Sequence, residues 1–272
     1  MSALFTDWRR PTFITSLNPG LLGYDRLLAD LHPRIELVEI RLDGAWAALG
    51  AFMGKDEDFA RAKSIISQAR EQSGRPVLAT FRTENEPGSQ IQITDEAYEQ
   101  LMLCMGKVAD YVDLELNYPL MNTDAQTAAA LTANPRAQED LDKRVAKTVG
   151  QLQRDGAKVI LSRHFWQPSP DSVEEVLDLL RHQVALGADV AKVACSPADA
   201  AQLAALQEAG RYAFEIIHKP TMLIGMGEIG RPTRLAGPQA GNWGTFVTVG
   251  APASAPGQLP LAELELRYPT VA

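Results

Sequence analysis

The sequence predicts an α/β fold of eight short strands alternating with helices, a closed (β/α)8 TIM barrel ahead of an open doubly wound sheet of the same local rhythm. Three observations carry that expectation. Eight β-rich runs are spread along 272 residues. Longer stretches of Ala, Leu, Glu, Gln and Arg, which favour helix, lie between them. No Gly/Ser linker, low-complexity tract or short repeat breaks the rhythm, so residues 1–272 are expected to form one barrel domain.

The expected strands are 13–17, 37–43, 76–82, 111–116, 158–164, 190–196, 220–226 and 246–250. After the fifth, Val173, Val176, Leu177, Leu180 and Val184 recur at helical spacing. Ser169 and Pro170 read as the N-cap and first turn of that helix, and Gly187 as its stop. A second helix is expected to begin at Ser196, with Pro197 and Asp199 in its first turn and Gly210 at its end. Gly225-Met226-Gly227-Glu228-Ile229-Gly230 formally fits a dinucleotide-binding GxGxxG. It comes late, and Pro232 follows where a nucleotide-binding helix should continue, so a tight barrel loop is expected. The stretch 252–260 reads as a loop before one last short helix.

Composition narrows the function classes. A formal net charge of −8, without a Lys/Arg block, argues against a broad nucleic-acid or anionic-membrane surface. Hydrophobic residues make up 46% of the chain, enough for a real core, yet no apolar run is long enough to span a bilayer. Residues 1–17 lack the apolar core of a signal peptide, and Cys104 and Cys195, the only two cysteines, read as small buried hydrophobes. A cytoplasmic, soluble protein is the expectation. No tight His/Cys spacing marks a zinc site, and the GxxxxGK[ST] phosphate loop is missing.

Polar residues at the strand ends point to chemistry. Glu39 and Arg41 lie two apart and so face the same side of a strand, as do Thr80 and Arg82, and Asp113 and Glu115. His164 ends the fifth strand, and Lys192 sits within Val190-Ala191-Lys192-Val193-Ala194. In a barrel such positions converge on one mouth. They serve either a structural ion-pair network or a catalytic or binding cluster, since both arrangements perturb ionisable groups. A lysine enclosed by apolar neighbours beside another cation loses its proton more easily and attacks carbonyls, and a histidine moves protons near neutral pH. The competing reading of Lys192 is a snorkelling side chain at a strand edge. His32, His182 and His218 have weaker contexts and read as structural or surface groups.

Taken in order, Val38-Glu39-Ile40-Arg41-Leu42-Asp43, Thr80-Phe81-Arg82, Val112-Asp113-Leu114-Glu115-Leu116, His164, Ala191-Lys192-Val193-Ala194, Thr233-Arg234-Leu235-Ala236-Gly237 and Ser254-Ala255-Pro256-Gly257-Gln258 form a set. This set resembles the type I 3-dehydroquinate dehydratase family. The resemblance implies a (β/α)8 barrel that converts 3-dehydroquinate to 3-dehydroshikimate and water through a lysine Schiff base, in shikimate or quinate metabolism. It implies no cofactor, no metal and a homodimer, with the small-molecule substrate as the partner. Lys192 would attack the ketone, His164 would carry the proton, and Glu86 would orient the histidine. Arg234 would grip the substrate carboxylate. Glu39, Arg41 and Arg82 would set the polarity of the pocket and meet substrate hydroxyls. Ser254 and Gln258 would belong to a closing loop, Ser16 to the pocket floor, and Asp113 and Glu115 would give support only. Departures from the family pattern are Phe165-Trp166-Gln167 after the histidine, Arg163 before it, Gly225-Met226-Gly227 for a serine-containing run, and Thr233 for a serine. Another Schiff-base lyase or aldolase, or a non-catalytic relative, are the competing readings.

Overall fold

The computed structural model describes residues 10–49, 52–83, 91–120, 122–165 and 168–269. Strands β1 (Thr12–Leu17), β2 (Leu37–Arg41), β3 (Val77–Thr80), β4 (Tyr111–Glu115), β5 (Lys158–Phe165), β6 (Val190–Cys195), β7 (Thr221–Gly225) and β8 (Gly244–Thr248) match the eight expected runs. A two-residue β9 (Leu259–Pro260) adds to β8. The order is β7-β6-β5-β4-β3-β2-β1-β8-β9 and every ladder is parallel.

Between β7 and β8 there is no ladder among the described residues; a seam closes the wall instead. Trp243 N–H donates to the Thr221 carbonyl at 2.8 Å, and Leu223 N–H donates to the Asn242 side-chain oxygen at 2.8 Å. Inside the wall, Ile14, Leu37, Leu78, Tyr111, Ile160, Val190, Met222 and Phe246, one from each of β1 to β8, form a single apolar cluster. A shared interior contributed by all eight strands is what a TIM-like barrel requires.

The remaining elements are α1 (Tyr24–Ala29), α2 (Leu42–Leu49), α3 (Asp56–Ser73), α4 (Asp95–Met105), α5 (Ala125–Ala133), α6 (Pro135–Arg154), α7 (Val173–Ala185), α8 (Ala200–Ile216), α9 (Gly227–Arg234) and α10 (Leu261–Arg267). They pack on the outward strand residues. Val176, Leu177 and Leu180 of α7, for example, meet Ala191 and Val193 of β6. Each such buried aliphatic side chain contributes roughly 1.5–3 kcal/mol of transfer free energy. Among the described residues no helix is long and apolar enough to cross a membrane.

Several expected boundaries move. The second strand stops at Arg41 because the chain turns directly into α2, and the third stops at Thr80. Ser172, not Ser169, caps α7 by accepting from Glu175 N–H; the Ser169 hydroxyl instead donates to the Ser196 carbonyl. Gly187, with φ 98°, follows the end of α7 as expected. α8 starts after Asp199, whose carboxylate caps Ala201 and Gln202 N–H, so Ser196 and Pro197 lie outside the helix. It also runs through Gly210 to Ile216. That glycine is a packing contact rather than a stop, for a Cβ there would sit 2.3 Å from the Ala240 carbonyl oxygen. The GxGxxG run is not a loop: β7 ends at Gly225 and α9 begins at Gly227. Gly225 and Gly230 touch backbone to backbone, a Cβ on the former falling 2.5 Å from the Cα of the latter. Cys195 is buried as expected, while Cys104 is only half-buried.

Candidate active site

Strand periodicity builds the site. Ser16, Glu39, Thr80, Asp113, Ser162 and Lys192 stand two residues above the apolar interior layer on their strands, and Arg41, Glu115, His164 and Ala194 stand two higher again. Parallel register sets neighbours side by side: Ser16 with Glu39, Thr80 with Asp113, and Ser162 with Lys192. The chain therefore changes from an apolar to a charged interior within one repeat of the pleat.

Lys192 is 3% exposed. Its Nζ donates to Asp113 Oδ2 at 2.7 Å and lies 5.0 Å from the centre of the Phe246 ring. Asp113 Oδ1 accepts from Arg82 Nη2 at 3.1 Å and from the Ser162 hydroxyl at 2.6 Å. Arg82 Nη1 reaches Glu115 Oε1 at 3.1 Å and lies 3.4 Å from His164 Nδ1. Glu115 is held further by Thr83, whose N–H and hydroxyl both donate to it. A second group surrounds Glu39, which accepts from the Ser16 and Thr80 hydroxyls. Beside it Arg41 makes a two-pronged contact with Asp43, at 2.9 and 2.7 Å, and Asp43 also accepts from Arg82 N–H.

Burial and neighbouring charge set the ionisation of this network. Burial alone would raise the Asp113 carboxyl, but Arg82 and Lys192 outweigh it and hold the group well below the usual carboxylate range. Burial, then the charges of Arg82 and Lys192, push the His164 imidazole well below its ordinary value. It is therefore a neutral base at neutral pH. Burial also raises Glu115, against the pull of Arg82. Arg234 is lowered to about 10 by burial and stays a cation. Its Nη2 donates to the Pro256 carbonyl at 2.8 Å, while its buried Nε has no partner.

These groups line a cavity of about 580 Å³ including its open mouth. Glu39, Arg41, Arg82, His164, Lys192, Arg234 and Ser254 all face it. Ser16 and Gln258 stand behind this lining: Ser16 supports Glu39, and Gln258 Oε1 accepts from Ser254 N–H and hydroxyl at 2.7 and 3.0 Å. Glu86 lies outside the described residues. Lys192, expected among apolar neighbours beside another cation, shares the cavity with Ala194, Ile224 and Phe246 but is ion-paired, and Asp113, read as support, touches the lysine nitrogen itself. Sequence reasoning also missed the apolar side of the cavity, formed by Ala194, Ile224, Met226 and Phe246. Ala194 was within reach by counting two residues on from Lys192; nothing in its type singles out Phe246. An oriented lysine, a neutral histidine and a buried arginine with an open donor suit imine chemistry on an anionic carbonyl compound.

The type I 3-dehydroquinase family model matches residues 24–271. The 3-dehydroquinate dehydratase of a Geobacillus species is 31% identical over 193 residues, which covers 70% of this chain and 64% of that protein. This chain thus spans slightly less than two thirds of that relative's length. The Listeria monocytogenes protein of the same name is 29% identical over 236 residues, or 85% of this chain and 79% of that protein. The crystal structure of 3-dehydroquinate dehydratase from Geobacillus kaustophilus superposes with a TM-score of 0.75 at 25% identity, covering 95% of this chain and 90% of that one. The type I enzyme from Clostridium difficile, solved with covalently modified comenic acid, gives the same TM-score of 0.75 at 23% identity over 95% and 90% of the two chains, a likeness of fold. The chain belongs to the type I 3-dehydroquinase family.

Proposed function

We propose that this chain is a 3-dehydroquinate dehydratase that works as one barrel-shaped catalytic unit, with Lys192 as the imine-forming residue. The observation that carries the reading is the meeting of Lys192, His164 and Arg234 at one cavity. Arg234 takes the substrate carboxylate, for which a planar donor fork is suited. Lys192, having given up a proton, attacks the ring ketone, and loss of the carbonyl oxygen as water leaves a protonated imine. The imine withdraws electrons from the neighbouring carbon, whose proton passes to neutral His164 and leaves an enamine. His164 returns that proton to the departing C1 hydroxyl as the enamine electrons form the new double bond. Hydrolysis of the resulting imine frees Lys192. Glu39, Arg41 and Arg82 meet the ring hydroxyls, Ser16 braces Glu39, and Ser254 with Gln258 closes the mouth. Glu86 orients His164. The same reading makes the protein a cytoplasmic homodimer, which analytical ultracentrifugation tests by mass.

Incubation with 3-dehydroquinate and borohydride is the test. A mass adduct on the peptide carrying Lys192, together with conversion to 3-dehydroshikimate, is the expected result. Turnover without an adduct, or an adduct on another residue, rejects the mechanism. An adduct without turnover of 3-dehydroquinate would mark a lyase or aldolase for a different carbonyl acid.

A further inference from the structure

We propose that Asp113 is itself catalytic: it is the counter-ion of the Lys192 nitrogen while that nitrogen is charged, and Arg82 takes over the pairing when the nitrogen becomes neutral. The inference rests on the Schiff-base reading above. Its geometric basis is a carboxylate with each oxygen assigned. Oδ2 faces Lys192 Nζ at 2.7 Å, and Oδ1 faces Arg82 Nη2 at 3.1 Å and the Ser162 hydroxyl at 2.6 Å. Lys192 lies within β6 and is buried, and Oδ2 is the carboxylate oxygen beside its nitrogen, so an imine formed on it has Asp113 as its near anion.

The charge at that nitrogen changes during the reaction. The protonated imine is a cation, and its contact with Asp113 is favourable. Transfer of the C2 proton to His164 sends the C–H electron pair into a carbon–carbon double bond and the imine pair onto nitrogen, which becomes neutral. A buried carboxylate left without a cation at that moment would carry a heavy desolvation penalty. Arg82 and Ser162 are already in place, so Asp113 is never stranded. Expulsion of the C1 hydroxyl, protonated by His164, drives the nitrogen lone pair back into the imine and restores the cation beside Oδ2. Asp113 therefore favours the elimination half of the reaction, and Arg82 limits the penalty it imposes on the first half. Held as a carboxylate by Arg82 and Lys192, Asp113 does not compete with His164 for the proton.

The test measures borohydride-trapped adduct on Lys192 by mass, with turnover, in full-length wild type, Asp113→Asn and Ser162→Ala, each checked for folding by thermal melting. Arg82 just beyond β3, Glu115 from β4, His164 from β5 and the Phe246 ring from β8 stand around the lysine and its carboxylate. Asp113→Asn removes the anion beside the nitrogen, so elimination slows: turnover should fall at least about tenfold, and the share of adduct trapped before dehydration, heavier by one water, should rise. Ser162→Ala takes one donor from Oδ1, so it should move that share the same way by a smaller factor. A folded Asp113→Asn protein with wild-type turnover and the wild-type ratio of the two adducts overturns the proposal. If that variant does not fold, a wild-type ratio in Ser162→Ala does so. Absence of a Lys192 adduct in the wild type rejects the Schiff-base reading, and this inference with it.

Discussion

At the scale of single residues the site is a set of charges whose partners decide what each can do. Lys192→Ala should abolish the borohydride adduct, read by intact mass. His164→Ala should still form adduct but dehydrate about 10²–10⁴-fold more slowly, read by the product's absorbance. Arg234→Lys keeps a cation but loses the planar fork, so its KM for 3-dehydroquinate should rise about tenfold or more. An unchanged KM would show that Arg234 does not receive the carboxylate. The displaced imidazole also has a stability consequence of definite sign. His164 binds its proton less readily folded than unfolded, so below about pH 6.5 the unfolded chain takes up the proton first. Stability should drop as pH falls from there toward the lowered folded value. A His164→Gln variant should show a smaller loss of melting temperature between pH 7 and pH 5; an equal loss would place the acid sensitivity elsewhere.

At the scale of elements, the seam between β7 and β8 is where the wall is most open to attack. The Asn242 side chain accepts from Leu223 N–H at 2.8 Å and donates to the Thr233 carbonyl at 2.8 Å. Asn242→Ala leaves the Leu223 N–H buried and unmatched, at about 1–3 kcal/mol, and leaves the Thr233 carbonyl with the Ala236 N–H as its donor; it should lower the melting temperature by several degrees. Gly210→Ala forces a methyl against the Ala240 carbonyl oxygen and should cost about 1–3 kcal/mol in urea titrations. The strands were legible because eight β-rich runs keep their composition whatever packs on them. Helix starts were less so: Ser169, Ser172, Ser196 and Asp199 are all competent caps, and only the tertiary course of the chain decides that Ser172 and Asp199 are used. Gly210 and Gly225 read as breaks, yet they are close approaches between elements distant in sequence, which local patterning does not encode. For the site, period two put Glu39 with Arg41 and Asp113 with Glu115, but the pairing of Lys192 with Asp113 crosses 79 residues and needed the register of the sheet.

At the scale of the molecule, the barrel joins an apolar interior layer to a charged mouth, so the wall that supplies stability also aims the chemistry. Asn242 belongs to both. The carbonyl it holds is that of Thr233, the residue before Arg234, while the Arg234 carbonyl is held by the Thr245 hydroxyl of β8 at 3.0 Å. The latch of the barrel and the arginine proposed to grip the substrate carboxylate are thus joined by adjacent backbone carbonyls. Filling the cavity with an unreactive carboxylate analogue should slow hydrogen–deuterium exchange at the Leu223 and Trp243 amides more than at the β4–β5 ladder. Ligand would then act as a clasp, quieting the breathing of the seam beneath it.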